Sequence, residues 1–472
     1  MYYTNKLIWL IIFSFTVTGI SGQSINMYFP QFAGKTYDFI TFVGKDTKVQ
    51  KGTIPRDGRF VLNVPKEFSP YKGMSRWLIT NTQEGGGLDM IIPGRDFSIE
   101  CVSAVPDNKN IIYKDNDENS LLDSQYKQQK SIVDQFTAMA MVTRAYPKDN
   151  KNYNLYQQEL TLQKNNYSDF QKSLLKKEDY ASNFLRIVNL TNGLGAALKE
   201  NEEDNGKEIV RTITKDISWD ALFTSGHWDS VIEMFTALEE KKDGGTIFMQ
   251  DFKRIGDRIS DVKLYTAFAE RVTYYLTKSG NDNIITKLSP IILNSGKVSS
   301  YAGVMAVYQK ATVGGKAPEL TISSQKISEQ SRRILDFTDK SYKKTLVVFY
   351  ASDCGHCDAV MKELSTKQDE LIKSGIRIVA ISADSDQKVF EETSKSMQWK
   401  GLLSCDLQGM KGSNFISYGV QATPTLFVID QQGKIVTRES TVELVLKALA
   451  DPSTELWRKI RRPPRPYVAP QQ

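Results

Sequence analysis

The strongest constraint on this chain is a pair of cysteines, Cys354 and Cys357, placed where a strand pattern gives way to a helix pattern. Residues 345–351 form an apolar run typical of a buried strand, and residues 357–373 have helical periodicity. Unpaired N–H groups at a helix N-terminus stabilise a thiolate over a thiol. The position therefore predicts that Cys354 is a nucleophile and that Cys357, one turn further on, is its resolving partner.

The two residues between the cysteines, Gly355 and His356, are predicted to tune the dithiol. An imidazolium or ring N–H of His356 stabilises the thiolate form and raises the reduction potential. In a two-electron couple about 30 mV corresponds to about 1.4 kcal/mol, so a modest preference for the thiolate changes the potential. The charge of Asp353 opposes thiolate formation if it lies close to Cys354.

A second motif, A-T-P-T at residues 422–425, stands about 70 residues after the cysteines, at the start of another predicted strand. Pro424 lacks the N–H that a strand ladder needs, and its place before a hairpin suits a cis Thr423–Pro424 bond. The periodicity around the two motifs predicts further strands at 376–383, 425–429 and 434–438 and further helices at 387–397 and 441–450.

This succession of elements resembles the thioredoxin fold, and the G-x-x-A-P segment at residues 314–318 resembles the TlpA and ResA branch of exported bacterial thiol-disulfide oxidoreductases. The resemblance covers residues 314–450. It implies that Cys354 and Cys357 carry an active-site dithiol, and that Thr423 and Pro424 form the cis-proline loop that holds a substrate peptide. It implies as partners protein thiols and disulfides and a membrane or envelope electron donor. Disulfide exchange needs no organic cofactor and no metal.

Three positions depart from related patterns. Thioredoxins carry a buried Asp and a Trp where this chain has Val348 and Asp353, so deprotonation of Cys357 needs another base, for which Asp384 is a candidate. Peroxiredoxins need a Thr where Ala351 stands, which makes thiol peroxidase the weaker enzymatic hypothesis.

Structural interpretations of the same residues stay open. A zinc site needs four ligands, whereas beyond this pair the chain offers isolated cysteines at 101 and 405 and only two histidines. A static disulfide is a second alternative. Cys101 and Cys405 are predicted to be buried and without function, and His227 is predicted to have a structural role at a helix start.

Length and composition exclude several classes of protein. At roughly 150 residues per domain, 472 residues predict about three domains. The 40% of hydrophobic residues, with 30 Gly and 15 Pro, excludes a wholly disordered or collagen-like chain. The net charge of +6, from 61 basic and 55 acidic residues, gives no indication of nucleic-acid binding.

The pattern of the chain predicts a multidomain protein with an N-terminal all-β domain, an α-helical middle domain and a C-terminal α/β thioredoxin-like domain, whose central mixed sheet is flanked by helices. Apolar residues at helical spacing, such as Val133, Phe136 and Ala140, predict the helices of the middle domain. The predicted segments are a signal peptide at 1–22, a β-sandwich-like domain at 23–105, a helical domain at 118–310, the thioredoxin-like domain at 314–450 and a basic, Pro-rich tail at 451–472.

The signal peptide predicts export to the periplasm or cell envelope, without stable membrane insertion after cleavage. In such a compartment a dithiol can cycle as a disulfide. The leading hypothesis is therefore an exported thiol-disulfide oxidoreductase that acts on protein partners and not on nucleic acid. The alternative is an envelope ligand-binding or protein-binding protein whose thioredoxin-like domain is redox-inactive.

Overall fold

The computed structural model describes residues 23–82, 86–239, 245–323 and 332–450. The predicted signal peptide at 1–22 and the predicted tail at 451–472 lie outside these residues. Among the described residues, each helix is either too short or too polar to span a lipid bilayer.

The N-terminal region is built from strands, which confirms the predicted all-β class. Its strands form two four-stranded sheets, in the orders β4-β1-β7-β8 and β3-β2-β5-β6, and every pair is antiparallel except β1 with β7. Alternate side chains of both sheets meet in one core, for example Ile25 and Ile99 of the first sheet and Phe39 and Trp77 of the second. The strands are β1 Ser24–Tyr28, β2 Thr36–Val43, β3 Asp46–Thr53, β4 Arg59–Asn63, β5 Lys72–Thr80, β6 Gly87–Pro93, β7 Phe97–Glu100 and β8 Ile112–Lys114.

The last of these strands, β8, lies beyond residue 105, where the sequence places the end of the β domain. It pairs with β7 at the edge of the first sheet. Its three residues are too few to show an alternating pattern, so this short edge strand has almost no signal in the sequence.

The middle region is helical, as the sequence predicts. Its core is apolar, with Val231, Phe235 and Phe268 fully buried. A 3₁₀ segment, Gly303–Tyr308, follows the last helix. The helices are α1 Glu118–Ala145, α2 Tyr153–Leu175, α3 Tyr180–Thr191, α4 Glu202–Lys215, α5 Trp219–Phe223, α6 Trp228–Glu239, α7 Thr246–Arg258, α8 Val262–Lys278 and α9 Asp282–Leu293.

Helix α1 differs from its predicted packing. Val133, Phe136 and Ala140 are only half-buried, whereas Gln125 and Gln129 are buried. The Gln129 amide exchanges hydrogen bonds of 2.6 and 2.8 Å with Asn189 of α3. It also accepts one of 2.8 Å from Gln171 of α2. A polar network inside the helical region therefore fixes how α1 packs, and polar residues carry no apolar signal for a periodicity argument.

The C-terminal region has the predicted mixed sheet flanked by helices. Strand order is β13-β12-β11-β14-β15, with β11, β12 and β13 parallel and β14 and β15 antiparallel to their neighbours. The elements are β9 Thr321–Ser323, β10 Arg332–Ile334, β11 Lys344–Tyr350, α10 Gly355–Lys373, β12 Ile376–Ser382, α11 Gln387–Ser396, β13 Leu402–Cys405, α12 Ser413–Tyr418, β14 Thr425–Asp430, β15 Ile435–Glu439 and α13 Val442–Leu449.

The two faces of this sheet bury different cores because successive side chains of a strand point to opposite sides. Leu346 and Val348 of β11 pack with Leu364 of α10, while Val347 and Phe349 pack on the other face with Phe415 of α12. The sequence misses β13 and α12, which are short, and the two-stranded ribbon of β9 and β10. It places the remaining elements to within two residues.

Hydrogen bonds join the helical region to the regions before and after it in the chain. Main-chain hydrogen bonds of 2.7 Å from Gly44 to Phe223 and of 2.9 Å from Met74 to Thr224 join the β region to the helical region. The Ser440 hydroxyl donates to the Gly280 carbonyl at 2.6 Å and so joins the C-terminal region to the loop before α9. The helical region therefore contacts both of its neighbours along the chain.

Candidate active site

Cys354 occupies the N-cap position of α10, in the loop that leaves β11. The strand ends at Tyr350 and the helix begins at Gly355, two residues earlier than predicted. The Cys354 sulfur accepts a hydrogen bond from the Cys357 N–H at 3.2 Å. A sulfur therefore stands where a capping oxygen usually satisfies the free N–H groups of the first turn, and these donors favour a negative charge on it.

Cys354 and Cys357 are joined by a disulfide, with their Cα atoms 5.2 Å apart. Their exposure differs: Cys357 is 1% exposed, whereas Cys354 is half-buried. An incoming sulfur atom therefore has access to Cys354 and not to Cys357. This asymmetry suits one nucleophilic and one resolving cysteine.

The loop of Thr423 and Pro424 lies beside this disulfide. The Thr423 carbonyl oxygen is 3.5 Å from the Cys354 sulfur, and the Thr423–Pro424 peptide bond is cis. The sheet explains this proximity, because β14 pairs with β11 so that Thr425 lies opposite Phe349. Both loop residues are half-exposed, so their main chain is open to a polypeptide beside the reactive sulfur.

Gly355 and His356 form the exposed first turn of α10. Asp353 on the other side of Cys354 is also exposed. Both neighbouring ionisable side chains therefore lie in water, which screens the interaction of a charge at either position with the sulfur.

The buried carboxylate of Asp384, which the sequence suggests as a base for Cys357, also accepts hydrogen bonds from the loop before Cys354. Asp384 follows β12 and is 8% exposed. It accepts hydrogen bonds of 3.1 Å from the Ser352 N–H and 2.6 Å from the Ser352 hydroxyl. A third, of 2.6 Å, comes from Ser382. The carboxyl ends of neighbouring parallel strands meet at one edge of a sheet. The sequence signal for the contact of Ser352 with Asp384 is therefore that both polar residues follow such strands.

Burial is the main cause that raises the pKa of Tyr350 well above its usual range, and the negative charge of Asp384 is the next. Burial likewise raises the pKa of the Cys405 thiol. This thiol is half-buried and donates to the Asp384 main-chain carbonyl at 3.3 Å. Cys405 is therefore favoured in its protonated, weakly nucleophilic form.

The other predicted structural residues lie in the N-terminal two regions. Cys101 is 1% exposed and contacts Asn110, with 3.3 Å from its sulfur to the amide oxygen. His227 precedes α6, and its ring lies 5.8 Å from that of Phe184. Neither belongs to the group around Cys354. Among the described residues no cluster of three or more His, Cys, Asp or Glu is arranged to hold a metal ion.

Sheet order, the N-cap cysteine and the adjoining cis-proline loop together define a thioredoxin-like domain. A family model described as AhpC/TSA family matches residues 313–438. This match and the relatives described next make the domain similar to thiol-disulfide oxidoreductases of the TlpA/ResA type.

The chain is similar to the thiol-disulfide oxidoreductase ResA of Bacillus cereus, with 24% identity over 139 residues, or 29% of this chain and 75% of that protein. It is also similar to mouse nucleoredoxin, with 30% identity over 101 residues, or 21% of this chain and 23% of that protein. The chain thus spans less than a quarter of the length of mouse nucleoredoxin. A solved structure of a thiol-disulfide oxidoreductase from Bacteroides fragilis has 22% identity and a TM-score of 0.26, and the match covers 29% of this chain and all of that one.

Proposed function

We propose that this protein is an exported thiol-disulfide oxidoreductase that exchanges disulfides with protein partners through Cys354 and Cys357. The observation that carries the proposal is the difference between the two sulfur atoms. Cys354 is half-exposed at a helix N-cap, while Cys357 is buried within bonding distance of it. A structural disulfide needs no such difference.

In the reducing direction, the Cys354 thiolate attacks one sulfur of a partner disulfide. The partner's S–S bond breaks, its second sulfur leaves as a thiolate, and a mixed disulfide forms. Cys357 then loses its proton and attacks the Cys354 sulfur, which releases the partner as a dithiol. Two electrons pass from the dithiol to the partner, and the protein is left with the Cys354–Cys357 disulfide. The oxidising direction is the reverse of these steps.

The Thr423–Pro424 loop is proposed to hold the partner's polypeptide. The Thr423 carbonyl is a half-exposed acceptor that lies 3.5 Å from the Cys354 sulfur. A main-chain N–H of an extended partner segment can donate to this loop and place a neighbouring sulfur beside Cys354. Because such contacts use main-chain atoms, they suit partners of varied sequence.

The direction of net electron flow depends on the reduction potential. Stabilisation of the thiolate by His356 would favour an oxidant or isomerase, whereas the resemblance to the TlpA and ResA branch favours a reductant. A reductant needs a membrane or envelope electron donor to regenerate its dithiol. The dithiol itself carries both electrons, so the exchange requires no organic cofactor.

The β region and the helical region are proposed to position or select partners. Helices α1 and α2 carry exposed apolar side chains, among them Met141 (64% exposed) and Leu155 (61% exposed). Exposed apolar side chains on a surface helix are available for contact with another protein. Export is proposed from the N-terminal pattern at residues 1–22, which places the dithiol where disulfides persist.

Trapping of mixed disulfides tests the proposed function. Cys357→Ser leaves the nucleophile but removes the group that resolves the intermediate, so we expect protein adducts from cell-envelope extracts that a reductant releases. Cys354→Ser/Cys357→Ser is the matched control and should form none. If Cys357→Ser forms no adduct and the reduced protein does not reduce insulin, the results favour the alternative of a binding protein with a redox-inactive thioredoxin-like domain. Rapid, Cys354-dependent peroxide consumption would favour a thiol peroxidase.

A further inference from the structure

Two hydrogen bonds join the segment before Cys354 to the loop that follows the neighbouring strand β12. The acceptor is the buried carboxylate of Asp384, and both donors, the N–H and the hydroxyl, belong to Ser352. Ser352 lies two residues before Cys354, whereas the third donor to this carboxylate, Ser382, lies at the end of β12. Asp384 therefore connects β12 directly to the segment that presents the reactive sulfur.

We infer that Asp384 is a positioning residue for Cys354, which acts through Ser352 to keep the sulfur at the N-terminus of α10. The inference rests on the proposed function, because it concerns the reactivity of the same sulfur. It assigns to Asp384 no contact with a substrate and no transfer of a proton.

The connection between β11 and α10 gives this contact its importance. Only residues 351–353 separate the strand from Cys354, and the Cys354 N–H reaches the Ala351 carbonyl at a long 3.4 Å. The hydrogen bonds from Ser352 to Asp384 are shorter, at 3.1 and 2.6 Å, and have a charged acceptor. Hydrogen bonds to charged groups contribute about 1.5–3 kcal/mol each. Asp384 is thus the strongest hydrogen-bonding partner of this connection.

The position of the sulfur determines its chemistry. The 3.2 Å hydrogen bond from the Cys357 N–H stabilises a thiolate at Cys354 only while the sulfur stays at the helix N-terminus. Without the hydrogen bonds to Asp384, residues 351–353 are less restrained and Cys354 can move away from these donors. Loss of Asp384 is therefore expected to disfavour the thiolate.

The negative charge of Asp384, considered alone, predicts the opposite effect on the ionisation of Cys354. The direction of the change therefore separates a positioning role of Asp384 from a purely electrostatic one. A nearby negative charge disfavours a thiolate, so its removal alone makes Cys354 easier to ionise. The other ionisable groups around the segment are Asp353, His356, Cys357 and Asp358 on the chain near Cys354, Tyr350 at the end of β11, and Cys405 at the end of β13. All of these stay unchanged in the variants used below.

The readout is the pH dependence of Cys354 alkylation by iodoacetamide. The reduced full-length protein is used, and the modified Cys354 peptide is quantified by mass spectrometry so that the other thiols do not interfere. In Asp384→Ala we expect the midpoint to move to higher pH and the rate at pH 7 to fall about tenfold, which corresponds to about 1.4 kcal/mol. Ser352→Ala loses one of the two hydrogen bonds and should move the midpoint in the same direction by less.

Two further variants control for a general loss of stability. Ser382→Ala removes a hydrogen bond of the same 2.6 Å length from the same carboxylate, together with the 2.9 Å bond that the Ser382 hydroxyl accepts from the Asp384 N–H. Both Ser352 contacts remain, so the alkylation rate of this variant should stay within about threefold of the wild type. Asp384→Asn keeps an oxygen acceptor for the Ser352 N–H, so its Cys354 should be alkylated at least about threefold faster than that of Asp384→Ala. If Asp384→Ala does not fold, these two variants and Ser352→Ala still test the inference.

The inference is overturned if the midpoint of Asp384→Ala is unchanged or moves to lower pH. It is equally overturned if Ser382→Ala shifts the profile as far as Asp384→Ala, or if Asp384→Asn recovers nothing. Alkylation needs no protein partner, so this result is independent of the trapping experiment. An enzyme that traps no partner can still show the shift, and an active enzyme can lack it.

Discussion

Arg438 of β15 and Asp282 of α9 form an ion pair in which both side chains are almost fully buried. The Arg438 Nε lies 2.8 Å from the Asp282 Oδ1, and the two side chains are 4% and 5% exposed. The pair joins the thioredoxin-like domain to the helical region, together with the Ser440 contact to Gly280. Its strand, β15, pairs with β14, which begins directly after Pro424. The helical region therefore packs close to the end of the sheet that carries the dithiol.

Loss of either partner of this pair is expected to leave an uncompensated buried charge. Arg438→Leu should lower the free energy of unfolding by about 3–5 kcal/mol, whereas Asp282→Leu/Arg438→Leu should recover most of the loss. The Arg438 Nη1 has no hydrogen-bond partner among the described residues, so the charged pair is incompletely satisfied and an apolar pair replaces it at little cost. Urea denaturation of all variants measures the effect. A double variant as unstable as Arg438→Leu would contradict this account.

The proposed nucleophile is expected to be indispensable among the cysteines of the chain. Cys354→Ser should reduce insulin disulfides no faster than a sample without protein, because a hydroxyl does not replace a thiolate. Cys101→Ser is the matched control: this thiol is buried in the β region and donates to Asn110, so a hydroxyl there can keep the contact. Its rate should stay within about twofold of the wild type. Equal losses in both variants would exclude a specific role for Cys354.

The imidazole of His356 is expected to make the dithiol more oxidising. His356→Ala removes a group that stabilises the thiolate, so the reduction potential should fall, by about 30 mV for each 1.4 kcal/mol of lost stabilisation. Equilibration of the purified protein with dithiothreitol mixtures of known potential measures the change. A potential that rises would show that another group controls the thiolate, and one that stays constant would remove His356 from the tuning role.

His227 is expected to make the fold sensitive to mild acid. Burial lowers the pKa of His227, and the positive charge of Arg76 acts in the same direction. The unfolded chain therefore binds a proton on this ring more readily than the native protein does. Stability from this residue is complete above the ordinary histidine pKa of about 6.5 and is lost as the pH falls through that value towards the lower native pKa.

Comparison with a variant isolates this contribution. Between pH 7.5 and pH 5 the thermal midpoint of the wild type should fall further than that of His227→Gln, which cannot bind the proton. Parallel pH profiles of the two proteins would show that protonation of His227 does not destabilise the fold.

The class of each region follows from patterns that are local in the sequence. Apolar alternation in the first hundred residues, helical faces such as Tyr167, Phe170 and Leu174, and the buried-type strands on both sides of Cys354 reflect burial of one side of each element. The place of Cys354 at a helix N-cap follows similarly, since a strand, a turn and a helix are defined by neighbouring residues. The place of Thr423 beside it is implied by the resemblance to thioredoxins and depends on the pairing of β14 with β11. Short elements such as β8, β13 and α12 contain too few residues for such a pattern.

The chain alone thus determined the order of the strand-rich, helical and α/β regions and the place of Cys354 between a strand and a helix, because these depend on the period of apolar residues. Only the tertiary structure decided that Asp384 binds Ser352, that Gln129 joins three helices, and that Asp282 meets Arg438 across 156 residues of sequence. Each of these contacts joins polar groups that are distant along the chain. Such groups find one another only when the packing of apolar faces has excluded water and brought them together.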